Sequence, residues 1–258
     1  MNEHRRRLLE QEEQTRKQGL KNKRMARMLI AMSLFSFSLC CLVGVMITID
    51  PLSLKEEDKA DRSNLPATVS PAVEENDEWM LILVNRDNYL PADFTVDLKE
   101  LGGVRVDYRI AEQLQKMIDD AAAAGIVLTP CSAYRNVAEQ RALYENKCAD
   151  FRNQGYGEEA ARIYANQYLQ PPGASEHHTG LAIDFLTTGI NELDESFAQS
   201  PAYSWLIENA AKYGFVERYP NAKEKETGIL WEPWHFRYVG QVNATAMVSM
   251  GICLEEFV

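Results

Sequence analysis

Two short stretches of this chain hold most of the side chains able to do chemistry. The first, Gly173-Ala174-Ser175-Glu176-His177-His178-Thr179-Gly180-Leu181-Ala182-Ile183-Asp184-Phe185, sets adjacent histidines after a Pro-Pro-Gly turn and an aspartate inside an apolar run. Leu181, Ile183 and Phe185 alternate with Ala182 and Asp184, which is the period of a short strand. Asp184 then shares a face with Ala182 and opposes the larger side chains. A carboxylate in that setting needs a cation, a proton or a strong donor beside it. The second stretch is Glu232-Pro233-Trp234-His235-Phe236. A single histidine near tryptophan is ordinarily a packing residue, and a single glutamate is ordinarily solvated. The chain has only 4 histidines, however, and all but His4 fall in these two stretches. Packing does not explain that concentration.

His177, Asp184 and His235 would supply two neutral nitrogens and one carboxylate to a single Zn2+, leaving a fourth position for water. Three protein ligands and an open position form a catalytic rather than a structural zinc site. His178 adjoins His177 and competes with it for that role. Glu232 would lie near the metal, taking a proton from the attacking water and returning it to a leaving amine. Arg135, on a loop entering a helix, is the candidate for neutralising the carbonyl oxyanion, though taken alone it reads equally as a surface ion pair. Thiolate zinc is disfavoured by the lack of any CxxC or Cys/His cluster. A Ser132 or Cys131 nucleophile lacks an evident histidine partner not already assigned to metal.

The elements around these residues are short. Trp79–Val84 reads as a buried strand closed by the turn-prone Asn85-Arg86-Asp87-Asn88. Val104–Tyr108 is a short strand or loop, and Arg109–Ala124 is an amphipathic helix stopped by Gly125. Ile126–Leu128 reads as an internal strand leading to Thr129-Pro130-Cys131-Ser132. Asn136 caps a helix running to about Cys148, and another spans about Glu158–Tyr168. Pro201–Tyr213 has proline at its first turn and Gly214 as its stop. Phe215–Tyr238 alternates short strands and turns, and Gly240–Met250 closes the chain as a helix. Strands and helices do not strictly alternate, so the expected class is α+β with an antiparallel sheet and flanking helices.

Residues 78–258 are of ordinary size for one such domain. What precedes them is different. Met28–Ile49 is 22 residues without a charge, about 33 Å as a helix and enough to cross a bilayer core. A cleaved secretory signal is the rival reading, but the run is long for one and no Ala-x-Ala site closes it. Residues 1–27 carry nine Lys/Arg against four Glu, so the positive-inside rule places them in the cytoplasm and residues 50–258 outside. Residues 50–77, with Pro51, Pro66 and Pro71 among charged and hydroxylated side chains, read as a stalk too polar to bury a core. Removing the tail's nine basic and four acidic side chains from the chain's 27 and 38 leaves a net charge of −16. That charge does not suggest nucleic acid as a partner. Cys40 and Cys41 lie in the apolar run. Of the outer cysteines, Cys131, Cys148 and Cys253, at most one pair can form within the chain, and Cys131 with Cys148 is the candidate.

Ser175-x-His177-x-x-Gly180-x-Ala182-x-Asp184, with Glu232-x-Trp234-His235 downstream, resembles the VanY-type D-alanyl-D-alanine carboxypeptidases, the zinc peptidase family that includes the VanX dipeptidases. The resemblance extends to Leu83-Val84-Asn85-Arg86-Asp87-Asn88-Tyr89-Leu90-Pro91 and to Ser132-Ala133-Tyr134-Arg135 followed by Gln140. It implies a Hedgehog/DD-peptidase-like fold and zinc on His177, Asp184 and His235, selecting His177 over its neighbour. His178 is then expected at the cleft or its rim. It also implies Glu232 as catalytic base, Arg135 as oxyanion partner, and Ser175, Tyr134, Gln140 and Ser132 as substrate contacts. The expected function is removal of the terminal D-alanine from peptidoglycan stem peptides by a single-pass, outward-facing membrane enzyme. Two alternatives stand beside it. One is L,D-carboxypeptidase action on tetrapeptide stems; the other is a non-catalytic wall-binding or sensor module.

Overall fold

The computed structural model describes residues 78–258. The basic tail 1–27, the apolar run 28–49 with Cys40 and Cys41, and the stalk 50–77 lie outside the described residues. Among the described residues, no helix is long and apolar enough to cross a membrane.

A hairpin of β1 (Leu98–Leu101) and β2 (Val104–Asp107) leads through a 3-10 turn into helix α1 (Ala111–Ala123). Strand β3 (Thr129–Ser132), helices α2 (Val137–Asn153) and α3 (Glu158–Ala165), and strand β4 (Ala182–Leu186) follow. Helix α4 (Pro201–Asn209), strand β5 (Phe215–Glu217), the single turn α5 (Glu224–Thr227) and strand β6 (His235–Tyr238) complete the sheet region. Helices α6 (Gln241–Met250) and α7 (Leu254–Phe257) end the chain. The main sheet has the order β3-β4-β6-β5, and every pairing in it is antiparallel. The α+β class and antiparallel sheet expected from the sequence are therefore present.

The sheet has an apolar face and a polar one. Ile183, Phe185 and Phe236 are fully buried against Phe215 and α4 Leu206, and α1 contributes Leu114, Met117 and Ala121 to the same core. The α1 positions recur at helical spacing, as its amphipathic pattern requires. Smaller apolar clusters sit under α6 and α7 (Val239, Ala244, Met247, Leu254) and between α2 and α3 (Tyr144, Cys148, Ala165).

Several expected boundaries move, each for a physical reason. Trp79–Val84 is not a strand: Glu78–Met80 is a 3-10 turn, and the carbonyls of Met80 and Ile82 accept from the Arg237 guanidinium, both at 2.9 Å. A side chain takes the place of a neighbouring strand there. Ile126–Leu128 does not pair; the ladder begins at Thr129, while Ile126 N–H donates to Ala121 O and closes the end of α1. The helix from Pro201 tightens to 3-10 geometry at Ala210–Tyr213 before Gly214 ends it at φ 86°. Among the described residues no disulfide forms: Cys131 is exposed with its thiol on the Asp184 carbonyl, whereas Cys148 and Cys253 are buried free thiols.

Candidate active site

Strand register builds the site. Asp184 in β4 lies directly opposite His235, the first residue of β6, and opposite Ser132 in β3 on its other side. Opposed residues share a face, so the aspartate and the histidine meet on the polar face of the sheet. His177 arrives from the 3-10 turn Glu176–Thr179, which Gly180 terminates in the left-handed region at φ 71°. A Cβ on Gly180 would stand 2.7 Å from the Asp107 backbone nitrogen, so glycine is required by conformation and by space. Asp107 N–H in turn donates to the Gly180 carbonyl at 3.0 Å, tying the turn to β2.

His177 Nε2 is 3.3 Å from Asp184 Oδ2, and His235 Nδ1 is 3.1 Å from Asp184 Oδ1. One ligating atom from each of the three residues lies within 4.8 Å of the others, and all three side chains are buried. His177 Nδ1 contacts the Ala133 carbonyl at 2.6 Å; a carbonyl only accepts, so Nδ1 carries the proton and Nε2 presents a lone pair to the carboxylate. Asp184 Oδ1 is buried and accepts no hydrogen bond. Lone pairs facing one another away from water are stable only around a cation or a proton, and this donor set fits zinc.

The charges agree with that geometry. Burial alone would raise the Asp184 pKa, but the two imidazoles hold it below the usual carboxylate range. Burial pushes His177 down. On His235, burial is outweighed by Asp184, Glu176 and Glu232, which together favour positive charge at that position. Glu232, with 14% of its side chain exposed, stands 3.4 Å from His235 Nδ1, and burial raises its pKa. Pro233 and Trp234 bring Glu232 back toward the strand: His235 N–H donates to the Glu232 carbonyl, and Glu232 N–H donates to Tyr219 O.

Arg135 is positioned by side chains. Its guanidinium donates to Gln140 Oε1 and Ser132 Oγ, each at 2.7 Å, and stays 4.0 Å from Asp184 Oδ2. The next residue, Asn136, caps α2 with a complete capping box to Glu139, which fixes where the loop ends. Arg135, Gln140, Ser175, His177, Asp184, Glu232 and His235 all line one cleft of about 470 Å³. Ser132 borders it through Arg135. Tyr134 is not among the lining residues, and its ring lies under the Arg105 guanidinium at 5.0 Å.

Two features are not visible in the sequence reading. His178, expected at the cleft or its rim, is buried: its Nε2 accepts from Gly173 N–H and its Nδ1 donates to the Arg135 carbonyl. It clamps the Pro-Pro-Gly turn to the Arg135 loop. Glu176 lies fully buried behind His235, between Arg218 and Arg237. Arg237 inside the apolar strand β6 and Arg218 directly after β5 are the available signal that a buried anion has to exist.

The VanY family, described as D-alanyl-D-alanine carboxypeptidase, matches residues 103–241. A D-alanyl-D-alanine carboxypeptidase of Enterococcus faecalis is 40% identical over 193 residues, covering 74% of this chain and 70% of that protein. The structure of a vancomycin-resistance D,D-pentapeptidase VanY variant in complex with Zn(II) superposes with a TM-score of 0.63 at 40% identity, over 69% of this chain and 98% of that one. The L,D-carboxypeptidase LdcB aligns with a TM-score of 0.56 at 34% identity, over 71% and 87%.

Proposed function

The chain belongs to the VanY family of D-alanyl-D-alanine carboxypeptidases, and we propose that it removes the terminal D-alanine from peptidoglycan stem peptides with one zinc ion. The observation that carries this reading is the convergence of His177 Nε2, Asp184 and His235 Nδ1 on one point, with Glu232 beside it. Zinc bound there supplies Lewis acidity toward the scissile carbonyl and toward water.

The remaining work falls to side chains of the cleft. Glu232 is placed to accept a proton from the attacking water and to pass it to the departing amine of D-alanine. Its partial burial keeps its carboxylate away from bulk water while leaving an opening to the cleft. Arg135, held by Gln140 and Ser132, presents a fixed positive charge for the oxygen that becomes anionic as the carbonyl is attacked. Ser175 and Gln140 line the cleft and are the proposed contacts to the terminal D-residue, with Ser132 acting through Arg135. The Tyr134 ring lies under the Arg105 guanidinium and is not among the cleft-lining residues.

The apolar run Met28–Ile49, the basic residues before it and the acidic ones after it support a single-pass anchor with the catalytic domain outside the cell. The test of function is release of D-alanine from a defined pentapeptide stem, with and without chelator. Preference for a tetrapeptide stem would shift the reading to L,D-carboxypeptidase. A zinc-loaded protein that releases no terminal residue from any muropeptide would instead make it a binding or sensor module.

A further inference from the structure

Glu176 takes no part in the roles above, yet its side chain has no solvent exposure at all. Both neighbouring arginines use the same oxygen: Oε1 accepts from Arg218 Nε at 2.7 Å and from Arg237 Nη1 at 2.8 Å. The other oxygen, Oε2, accepts no hydrogen bond and lies 3.8 Å from His235 Nε2, which is also buried and unpaired. If Glu176 served only to neutralise the two arginines, their donors would have no reason to crowd one oxygen. Each has further partners, Glu255 for Arg218 and the carbonyls of Met80, Ile82 and Tyr238 for Arg237.

The His235 ring therefore has two sides. Nδ1 looks toward Asp184 and Glu232, while Nε2 looks toward Glu176. A neutral imidazole that gives one nitrogen to a metal carries its proton on the other, and that proton needs an acceptor. His177 meets the same need with the Ala133 carbonyl. We infer that Glu176 is a positioning residue: Oε2 accepts the Nε2–H of His235 and fixes the tautomer that turns Nδ1 toward the metal. Arg218 and Arg237 both occupy Oε1, which leaves Oε2 for the ring. The inference rests on the zinc-site reading above.

Glu176→Gln tests it, because the two arginine donors take the amide oxygen and leave the amide NH2 facing His235 Nε2, donor against donor. Zinc affinity of the purified full-length chain, measured by competition with a chromophoric chelator, is expected to fall by roughly ten- to a hundredfold. Glu255→Gln disturbs the same buried network without touching the Glu176–His235 contact. It is expected to lower the melting temperature while leaving zinc affinity within about twofold of the unmodified chain, on the scale set by such outer contacts. Nitrogen-15 spectra of the zinc-loaded, histidine-labelled chain read the tautomer directly and need no variant. They are expected to show His235 protonated at Nε2 and His177 protonated at Nδ1. Unchanged zinc affinity in folded Glu176→Gln, or a His235 ring bound through Nε2, would overturn the inference. A chain that binds no zinc at all would overturn the zinc reading, and this inference with it.

Discussion

At the scale of single residues, the proposed mechanism gives metal holding and proton transfer to different side chains, and that division is measurable. Asp184 is enclosed by two imidazoles, whereas Glu232 touches the cluster from one side and opens to the cleft. Glu232→Ala is accordingly expected to retain one zinc per chain while losing about 10²–10⁴ in kcat, the usual worth of a general acid–base group. Metal analysis and D-alanine release on the same sample decide it; parallel loss of both would make Glu232 a ligand. Arg135→Lys keeps the charge but not the planar fork that bridges Gln140 and Ser132. The expected loss is about 10²–10³ in kcat, the scale of a removed oxyanion donor, with little change in zinc content. The metal residues were legible because histidine is scarce in this chain and its outer copies cluster in two stretches. Glu176 was not legible. In sequence a buried carboxylate looks like a solvated one, and only the packing of Arg218 and Arg237 around it reveals the difference.

At the scale of elements, short pieces are held by caps, turns and register more than by length. Asn136 accepts from the backbone N–H groups of Ala138 and Glu139 at 2.9 Å, and Glu139 accepts from Asn136 N–H. Asn136→Ala is expected to cost about 1 kcal/mol of stability, read as a lower denaturant midpoint with an unchanged slope. Gly180 is more demanding. Alanine there meets the left-handed backbone penalty of about 1–3 kcal/mol as well as the approach to Asp107 N. Gly180→Ala is therefore expected to weaken zinc binding as well as stability, because the turn it ends carries His177. The strand at Ala182–Leu186 was legible from its alternation, and the helix after Asn136 from its cap. Trp79–Val84 misled for the opposite reason: its composition suits a strand, but its carbonyls are taken by Arg237, a partner more than 150 residues away. No local pattern can report such a contact.

At the scale of the whole molecule, the zinc site and the N-terminal third of the chain make separate demands. The three ligands come from a turn and two strands that close only when the sheet forms, so metal binding is coupled to folding of residues 78–258. Zinc at about a thousand times its dissociation constant would stabilise the folded domain by about 4 kcal/mol. A chelator-sensitive rise in melting temperature would show it. The three ligands, Glu232 and Arg135 all belong to residues 78–258. If the apolar run and basic tail serve as an anchor, a chain beginning at Glu78 should leave the membrane fraction yet release D-alanine from a soluble pentapeptide at the rate of the full chain. Its action on wall peptides in cells should drop, because the tether no longer concentrates it beside its substrate. Recovery of the full-length chain in the soluble fraction, or equal action of both chains on the wall, would show that residues 28–49 do not place the enzyme.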